Sequence, residues 1–378
     1  MTDPLVSIGI VVAGPLAPIE RAVRSALAQS HRHLQVLLGD VRGDQESRTF
    51  LDKLRREDSR VEVVSAQRPD GIIERSAQLR DIAAGAYFMW LDARTWIDPD
   101  YVATALGVFD HNPAHALVCG GTVWHGAGAD ATRERSPNSI TFESGARRVE
   151  AIFAQGLETD AWYGLYRRSL IADAPLHAGL GFEDGFLASV AWRGKIGVAP
   201  LMTLHREDGA PAAALDGEVA RLGLPNFHAT DPWLGAAALM FCNIAFFDDG
   251  FGRLPPVERT RLAVAGVEAV ARRGNILDEG MLISFASRIF PGGQVLDRFR
   301  ALRALLAETF LALHSVSLTD PSVQTLVEIV NMLCRMRIGN IPMTREDRAR
   351  VRQVETVWET DTSATAQSKV SMVSALYL

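Results

Sequence analysis

Apolar and polar positions follow two different periods along the first half of the chain. Short continuous apolar runs are typical of strands that are covered on both faces of a parallel sheet. Between them, apolar residues recur three and four apart, as in amphipathic helices. The pattern predicts strands over 6–12, 34–40, 61–66 and 86–92 and helices over 17–30, 47–56 and 76–84, with Gly85 as the C-cap of the last helix. Strands that alternate with helices indicate βαβ units and a parallel sheet.

Two of the predicted strands end in an acidic residue. Asp40 closes the second strand and Asp92 closes the fourth. Ligands of such sheets collect beyond the carboxyl ends of the strands, so both aspartates are candidates for ligand binding. The alternative is that each carboxylate only caps a loop or the following helix.

The second half of the chain has a different texture. From about residue 231 strand patterns stop and helical periods dominate, which favours a helical packing domain. We therefore expect a first domain over 1–225, a helical domain over 226–355 and a loosely held tail over 356–378. The uncharged stretch 232–247 is shorter than the roughly 20 residues of a membrane-spanning helix, and we interpret it as a core helix.

Composition excludes several classes of protein. The apolar fraction is 48% and the charged fraction 22%, which supports a buried core. A net charge of -6 argues against nucleic-acid binding through a basic surface. The three cysteines lie far apart, without the spacing of a zinc site or a disulfide framework, and fit a reducing compartment. No basic segment precedes the first apolar run, so we expect a cytoplasmic location.

Five sequence segments, in order over about 200 residues, carry a family resemblance. They are SALAQSHRHLQVLLGDVRGD from Ser25 to Asp44, the glycine pair Gly71 and Gly85, AYFMWLD, YRRSL with the later GFEDGFLASVAWRG, and LMTLHRE. In this order they resemble the family-2 glycosyltransferases. The resemblance implies a GT-A fold, an α/β architecture with a mostly parallel sheet flanked by helices, here followed by an all-helical C-terminal domain.

The resemblance also implies roles for single residues. Asp40, Asp92 and Arg75 would bind a nucleotide-diphosphate sugar, with Asp40 at the base. Asp184 would be the general base of an inverting transfer, with Glu183 beside it near the donor sugar or acceptor. A different interpretation of Glu183 and Asp184 is a charge pair at a helix N-terminus, which the helix dipole favours.

The metal motif of the family departs from its usual form in this chain. Asp92 is followed two positions later by Arg94, where the family has a second carboxylate. A cation at this position disfavours Mg²⁺ or Mn²⁺, although Asp92 and His205 match the family's metal ligands. We expect no certain cofactor, because the Arg94 guanidinium suits the donor phosphates and can replace a metal. The first Asp and the Gly of the DDGSTD motif are also replaced, by Gly39 and Val41.

Acceptor binding is expected at the aromatic pair Trp162 and Tyr163, since aromatic faces stack on sugar rings; core packing is the alternative.

The main hypothesis is an inverting glycosyltransferase of hexosyl type that builds a polysaccharide or glycoconjugate. A second hypothesis is a non-catalytic GT-A module that binds a sugar nucleotide or a partner. Nucleotidyl transfer is the weakest, because no glycine- and basic-rich loop follows the first strand. The helical domain could serve homo-oligomerisation or peripheral association with the inner face of the membrane.

Overall fold

The structure, a computed structural model, describes residues 3–64, 71–126, 132–155, 159–207 and 243–273, with single residues between 219 and 241. The chain divides into two compact units. The first comprises Met1–Ala178 and Phe186–Leu224, and the second comprises Gly179–Gly185 and Pro225–Leu378. The structure contains no helix, within these described residues, that has both the length and the apolar character needed to cross a bilayer.

The first unit begins with four parallel strands and three helices. Their order is β1 (Val6–Val12), α1 (Leu16–Leu27), β2 (Leu34–Asp40), α2 (Gln45–Glu57), β3 (Val61–Val64), α3 (Ile72–Ile82) and β4 (Tyr87–Leu91). The strands lie side by side in the order β3-β2-β1-β4. Every residue of β1 and β2 is buried, which is why both strands have continuous apolar runs. The predicted βαβ arrangement is confirmed.

The remaining strands make the sheet mixed. They are β5 (Thr95–Ile97), β6 (His115–His125), β7 (Thr132–Arg135), β8 (Leu165–Arg167) and β9 (Lys195–Glu207). Antiparallel pairs join β4 to β8, β8 to β6, β5 to β9 and β7 to β6, whereas β6 and β9 are parallel. The helices of this part are α4 (Tyr101–His111), α5 (Gly145–Gln155) and α6 (Phe182–Arg193). The GT-A expectation fits this curled mixed sheet with its flanking helices.

Helix α3 differs from its prediction at both ends. It starts at Ile72, four residues before the predicted start, because Gly71 and not a later residue is its N-cap. Its C-cap is Ala83, so the prediction for Gly85 was wrong. Gly85 has a packing reason instead: a Cβ atom there would lie 2.7 Å from the backbone nitrogen of Ser7, and its own N–H donates to the Ser7 hydroxyl.

The second unit is described only in part. A π-helical turn (Asn243–Phe247), a 3-10 turn (Asp249–Arg253) and α7 (Pro256–Arg273) follow one another. The Arg259 guanidinium joins them by donating to the carbonyls of Ile244 and Asp248. Most of the predicted helical domain over 226–355 and the tail over 356–378 lie outside the described residues, and that division stays a prediction.

Candidate active site

The carboxyl ends of β2 and β4 flank the end of β1. Val12 pairs with Asp40 on one side of β1, and Ile10 pairs with Leu91 on the other, one residue before Asp92. Because the three strands are parallel and adjacent, both aspartates lie at the same edge of the sheet. The structure therefore brings together the two strand-end acids that the sequence singled out.

Asp40 organises the loop that follows β2. Its Oδ1 accepts hydrogen bonds from the backbone N–H groups of Arg42 and Gly43 at 3.0 and 3.2 Å. Its Oδ2 accepts from the hydroxyl of Ser47 at 3.1 Å. Asp44 caps α2 by accepting from the Ser47 backbone N–H at 2.7 Å. Asp40 thus holds its own loop, the alternative role considered above, and its donor-binding role stays a prediction.

Arg75 packs against the glycine that replaces the first acid of the family motif. It is 0% exposed, and its guanidinium contacts the side-chain amide of Gln78. A Cβ atom on Gly39 would lie 2.6 Å from Cγ of Arg75 and 2.7 Å from Cδ. The aliphatic stem of Arg75 therefore crosses β2 at a place that only glycine leaves open.

Asp92 is held by the turn that it starts and by one distant side chain. Its Oδ1 accepts from the backbone N–H of Arg94 at 2.8 Å, and its backbone N–H donates to the hydroxyl of Thr95. Its Oδ2 accepts from the phenolic hydroxyl of Tyr163 at 2.7 Å. Tyr163 stands at the end of a 3-10 turn (Thr159–Tyr163) and is 5% exposed. The sequence proposed Tyr163 for acceptor binding and did not predict this hydrogen bond.

The Arg94 side chain is half-buried and, among the described residues, forms no ion pair or side-chain hydrogen bond. An ion pair with a nearby acid such as Asp98, the residue that follows β5, would have neutralised its charge. The carboxylate of Asp98 instead contacts Nε2 of His205 at 3.0 Å. No acid among the described residues therefore pairs with Arg94, whose backbone N–H donates to Asp92.

His205 belongs to an aromatic cluster on one face of the β5–β9 ladder. Its ring lies parallel to that of Trp96, with centroids 5.3 Å apart, and Nδ1 is 3.0 Å from Nε2 of His125. The Arg21 guanidinium covers Trp96 at 3.9 Å from the ring centroid. Both ring nitrogens of His205 are thus engaged, one by His125 and one by Asp98. The metal role of Asp92 and His205 stays a prediction.

Arg206 lies on the opposite face of the same strand and was not among the predicted site residues. His205 pairs with Trp96 and Arg206 pairs with Thr95, and successive strand residues point to opposite faces. The Arg206 guanidinium forms an ion pair of 2.6 Å with Asp160 and lies 5.3 Å from the ring centroid of Tyr163. Strand alternation in LHRE was the signal that could have separated Arg206 from His205.

Trp162 is part of the core. It is 5% exposed and stacks on Trp90, with ring centroids 4.1 Å apart and planes at 12°. Phe186 meets both indole rings edge-on at 5.3 Å. This is the arrangement that core packing requires, and the acceptor role of Trp162 stays a prediction.

Glu183 and Asp184 both lie in the first turn of α6. Asp184 is 0% exposed, and its backbone N–H donates to the carbonyl of Gly181 at 3.0 Å. Gly181 has a φ of 71°, a left-handed conformation that favours glycine and turns the chain into the helix. A negative charge is favourable at this end of a helix, so the position suits the charge pair as well as a catalytic acid and base.

Comparison with known proteins adds a family and a fold. Residues 7–173 match the model of glycosyl transferase family 2. No curated protein sequence matches the chain. The crystal structure of S. aureus TarS 1–349 is similar at a TM-score of 0.50 and 11% identity, over 94% of this chain and 91% of that one. TarS 1–349 in complex with UDP-GlcNAc has a TM-score of 0.51 at 11% identity, with the same coverage. At this identity the likeness to TarS shows the fold. The match over residues 7–173 shows that this part of the chain is similar to glycosyl transferase family 2.

Proposed function

We propose that the protein is an inverting glycosyltransferase that moves a sugar from a nucleotide-diphosphate donor to a saccharide or glycoconjugate acceptor. The family match and the GT-A fold support sugar transfer. The finer statement about a metal-independent mechanism rests on one observation. Arg94 lies two residues after Asp92 at the strand ends, and its guanidinium has no ion pair among the described residues.

Arg94 would act on the diphosphate. Charge builds on the leaving nucleotide diphosphate as the sugar departs, and a fixed positive charge there stabilises the transition state. A guanidinium binds two phosphate oxygens at once, which suits it to this task. The neighbouring Asp92 accepts hydrogen bonds through both oxygens, from the Arg94 backbone N–H and the Tyr163 hydroxyl. The engagement of His205 by Asp98 and His125 also supports a metal-free site.

The other roles follow the family resemblance. Asp40 and Arg75 would bind the donor nucleotide, and Asp184, with Glu183 beside it, would remove the proton of the acceptor hydroxyl. Trp162 and Tyr163 would border the acceptor. Since the TarS structure is a complex with UDP-GlcNAc, UDP-GlcNAc is the first donor to test on this chain. A polysaccharide product and a cytoplasmic site of action, with homo-oligomers or contact with the inner membrane face, complete the proposal.

The second candidate function is a non-catalytic module that binds a sugar nucleotide or a partner. The replacement of the second metal-motif carboxylate by Arg94 favours it, because loss of a metal site is one way in which an enzyme becomes inactive. The two candidates differ in turnover. Both candidates bind a nucleotide only if the non-catalytic module has kept its donor site.

Titration of UDP against the protein, with and without EDTA, tests the proposal. We expect binding that EDTA does not weaken, and an added stability of about 2.7 kcal/mol at 100 times the Kd. Arg94→Ala should weaken UDP binding about tenfold or more, as expected for loss of a charge-assisted contact. The control Arg55→Ala removes an exposed arginine of α2 that pairs with Asp52. Binding abolished by EDTA would refute the metal-free mechanism, and no binding of any nucleotide diphosphate would favour the non-catalytic module.

A further inference from the structure

Both carboxylate oxygens of Asp92 accept hydrogen bonds from the protein itself. One donor, the Arg94 backbone N–H, comes from its own turn and follows from local geometry. The other, the Tyr163 hydroxyl, comes from a residue 71 positions further along the chain. An O–H donor at 2.7 Å from a carboxylate oxygen is a short, charge-assisted hydrogen bond. Tyr163 therefore adds a long-range restraint to a side chain that its own turn holds only through Oδ1.

The 3-10 turn that carries Tyr163 also contacts β9. Asp160 belongs to the same 3-10 turn and pairs with Arg206 at 2.6 Å, while the Arg206 guanidinium lies over the Tyr163 ring. Burial alone lowers the pKa of Arg206, but the neighbouring Tyr163, Asp160 and Asp92 raise it above its ordinary range. Arg206 is therefore a permanent cation, and it holds both Asp160 and the phenol ring in place.

We propose that Tyr163 is a positioning residue that presets the Asp92 carboxylate for the donor nucleotide. The ligand in this proposal rests on the proposed function, whereas the link between Tyr163 and Asp92 does not. A metal ion would orient Asp92 in a site with two carboxylates. Here the Tyr163 hydroxyl does so from inside the protein. In this role Tyr163 acts through Asp92, by the hydrogen bond from its hydroxyl to Oδ2.

A double-mutant cycle on UDP binding tests the proposal. We expect Tyr163→Phe to weaken UDP binding about five- to tenfold in the wild-type background, since it removes one hydrogen bond to a charged group. In the Asp92→Asn background the same change should alter the Kd less than about twofold, because the group that Tyr163 orients has changed. Equal losses in both backgrounds, or no loss in wild type, would overturn the proposal.

Tyr87→Phe is the matched control. Tyr87 is 7% exposed, close to the 5% of Tyr163, and its hydroxyl contacts Arg167 at 3.3 Å and not Asp92. It should leave the Kd for UDP unchanged in both backgrounds. A loss as large as that of Tyr163→Phe would mean that removal of any buried phenol hydroxyl loosens the site, and would overturn the specific link.

Urea unfolding without nucleotide separates this proposal from the proposed function. It is measured on the four proteins of the cycle: wild type, Tyr163→Phe, Asp92→Asn and the double variant. Coupling predicts that Tyr163→Phe shifts the unfolding midpoint in wild type and shifts it clearly less in Asp92→Asn. Additive shifts would overturn the link. If the wild-type protein binds no UDP, the proposed function fails, and the unfolding cycle alone decides whether Tyr163 positions Asp92.

Discussion

The stem of Arg75 crosses β2 where Gly39 has no side chain. A Cβ atom at Gly39 would lie 2.6 Å from Cγ of Arg75, closer than real Cβ contacts come. In the family motif this position holds an acid. An acidic side chain here would occupy the space that the buried stem of Arg75 fills. Restoring a side chain at position 39 therefore conflicts with Arg75.

We predict that Gly39→Ala lowers the free energy of unfolding by about 1–3 kcal/mol, the usual cost of overpacking. Combining it with Arg75→Ala should cost less than the sum of the two single changes, because the clash is gone. Gly107→Ala is the control, since a Cβ there meets no atom within 4 Å and α4 gains a better helix former. Urea unfolding measures all four variants, and strict additivity would contradict the packing argument.

The same packing limits what the sequence could predict in this region. The bounds of β1 and β2 are those that the apolar runs predicted, since strands buried on both faces have a strong local signature. Helix α3 was predicted to start too late because its first turn carries the buried Arg75. A charged residue on a buried face breaks the apolar period on which the prediction rested.

Residues from distant segments were harder to predict at the candidate site. Asp40 and Asp92 could be placed at one sheet edge because each follows a recognisable strand, and parallel strands end together. The hydrogen bond from Tyr163 to Asp92 joins residues on a 3-10 turn and a strand end, far apart in sequence. No local pattern encodes such a contact, so only the folded chain shows that Tyr163 and Arg206 belong beside Asp92.

His205 provides a direct test of the metal role that the family resemblance implies. Its ring nitrogens are engaged by Asp98 and His125, and its ring stacks on Trp96. We predict that His205→Ala leaves the Kd for UDP within about twofold of wild type, less than 0.5 kcal/mol. The measurement is calorimetric titration with EDTA and with Mn²⁺. A tenfold loss that appears only with Mn²⁺ would place His205 in a metal site after all.

His115 should make stability depend on pH. Burial lowers the pKa of His115; the backbone carbonyl of Asn112 opposes this, and Lys195 and Arg167 lower the pKa further. As pH falls below about 6.5, the unfolded chain takes up a proton that the folded protein resists, so folding loses stability. The contribution is complete above this pH and is lost as pH falls through the lowered folded pKa.

His115→Gln should therefore flatten the pH dependence of the urea midpoint between about pH 7.5 and 5.5. The control, His111→Gln, changes an exposed histidine at the end of α4 and should keep the wild-type slope. If both variants keep the same slope as wild type, burial of His115 does not govern acid sensitivity.

Asp184 decides between the catalytic and the non-catalytic function. Its backbone lies in the first turn of α6 and its side chain is fully buried, so Asn, with nearly the same shape, should fit there without refolding the turn. We predict that Asp184→Asn slows UDP release from UDP-GlcNAc, with acceptor or with water, by about 10² to 10⁴-fold, the usual contribution of a general base. The Kd for UDP should stay within about twofold, because a base acts on the acceptor hydroxyl and not on the nucleotide. Asp110→Asn, at an exposed acid of α4, is the control and should change neither quantity.

Turnover that survives in Asp184→Asn would remove Asp184 from the mechanism. UDP binding without turnover in the wild-type protein, across a panel of sugar nucleotides and acceptors, would identify the chain as a nucleotide-binding module.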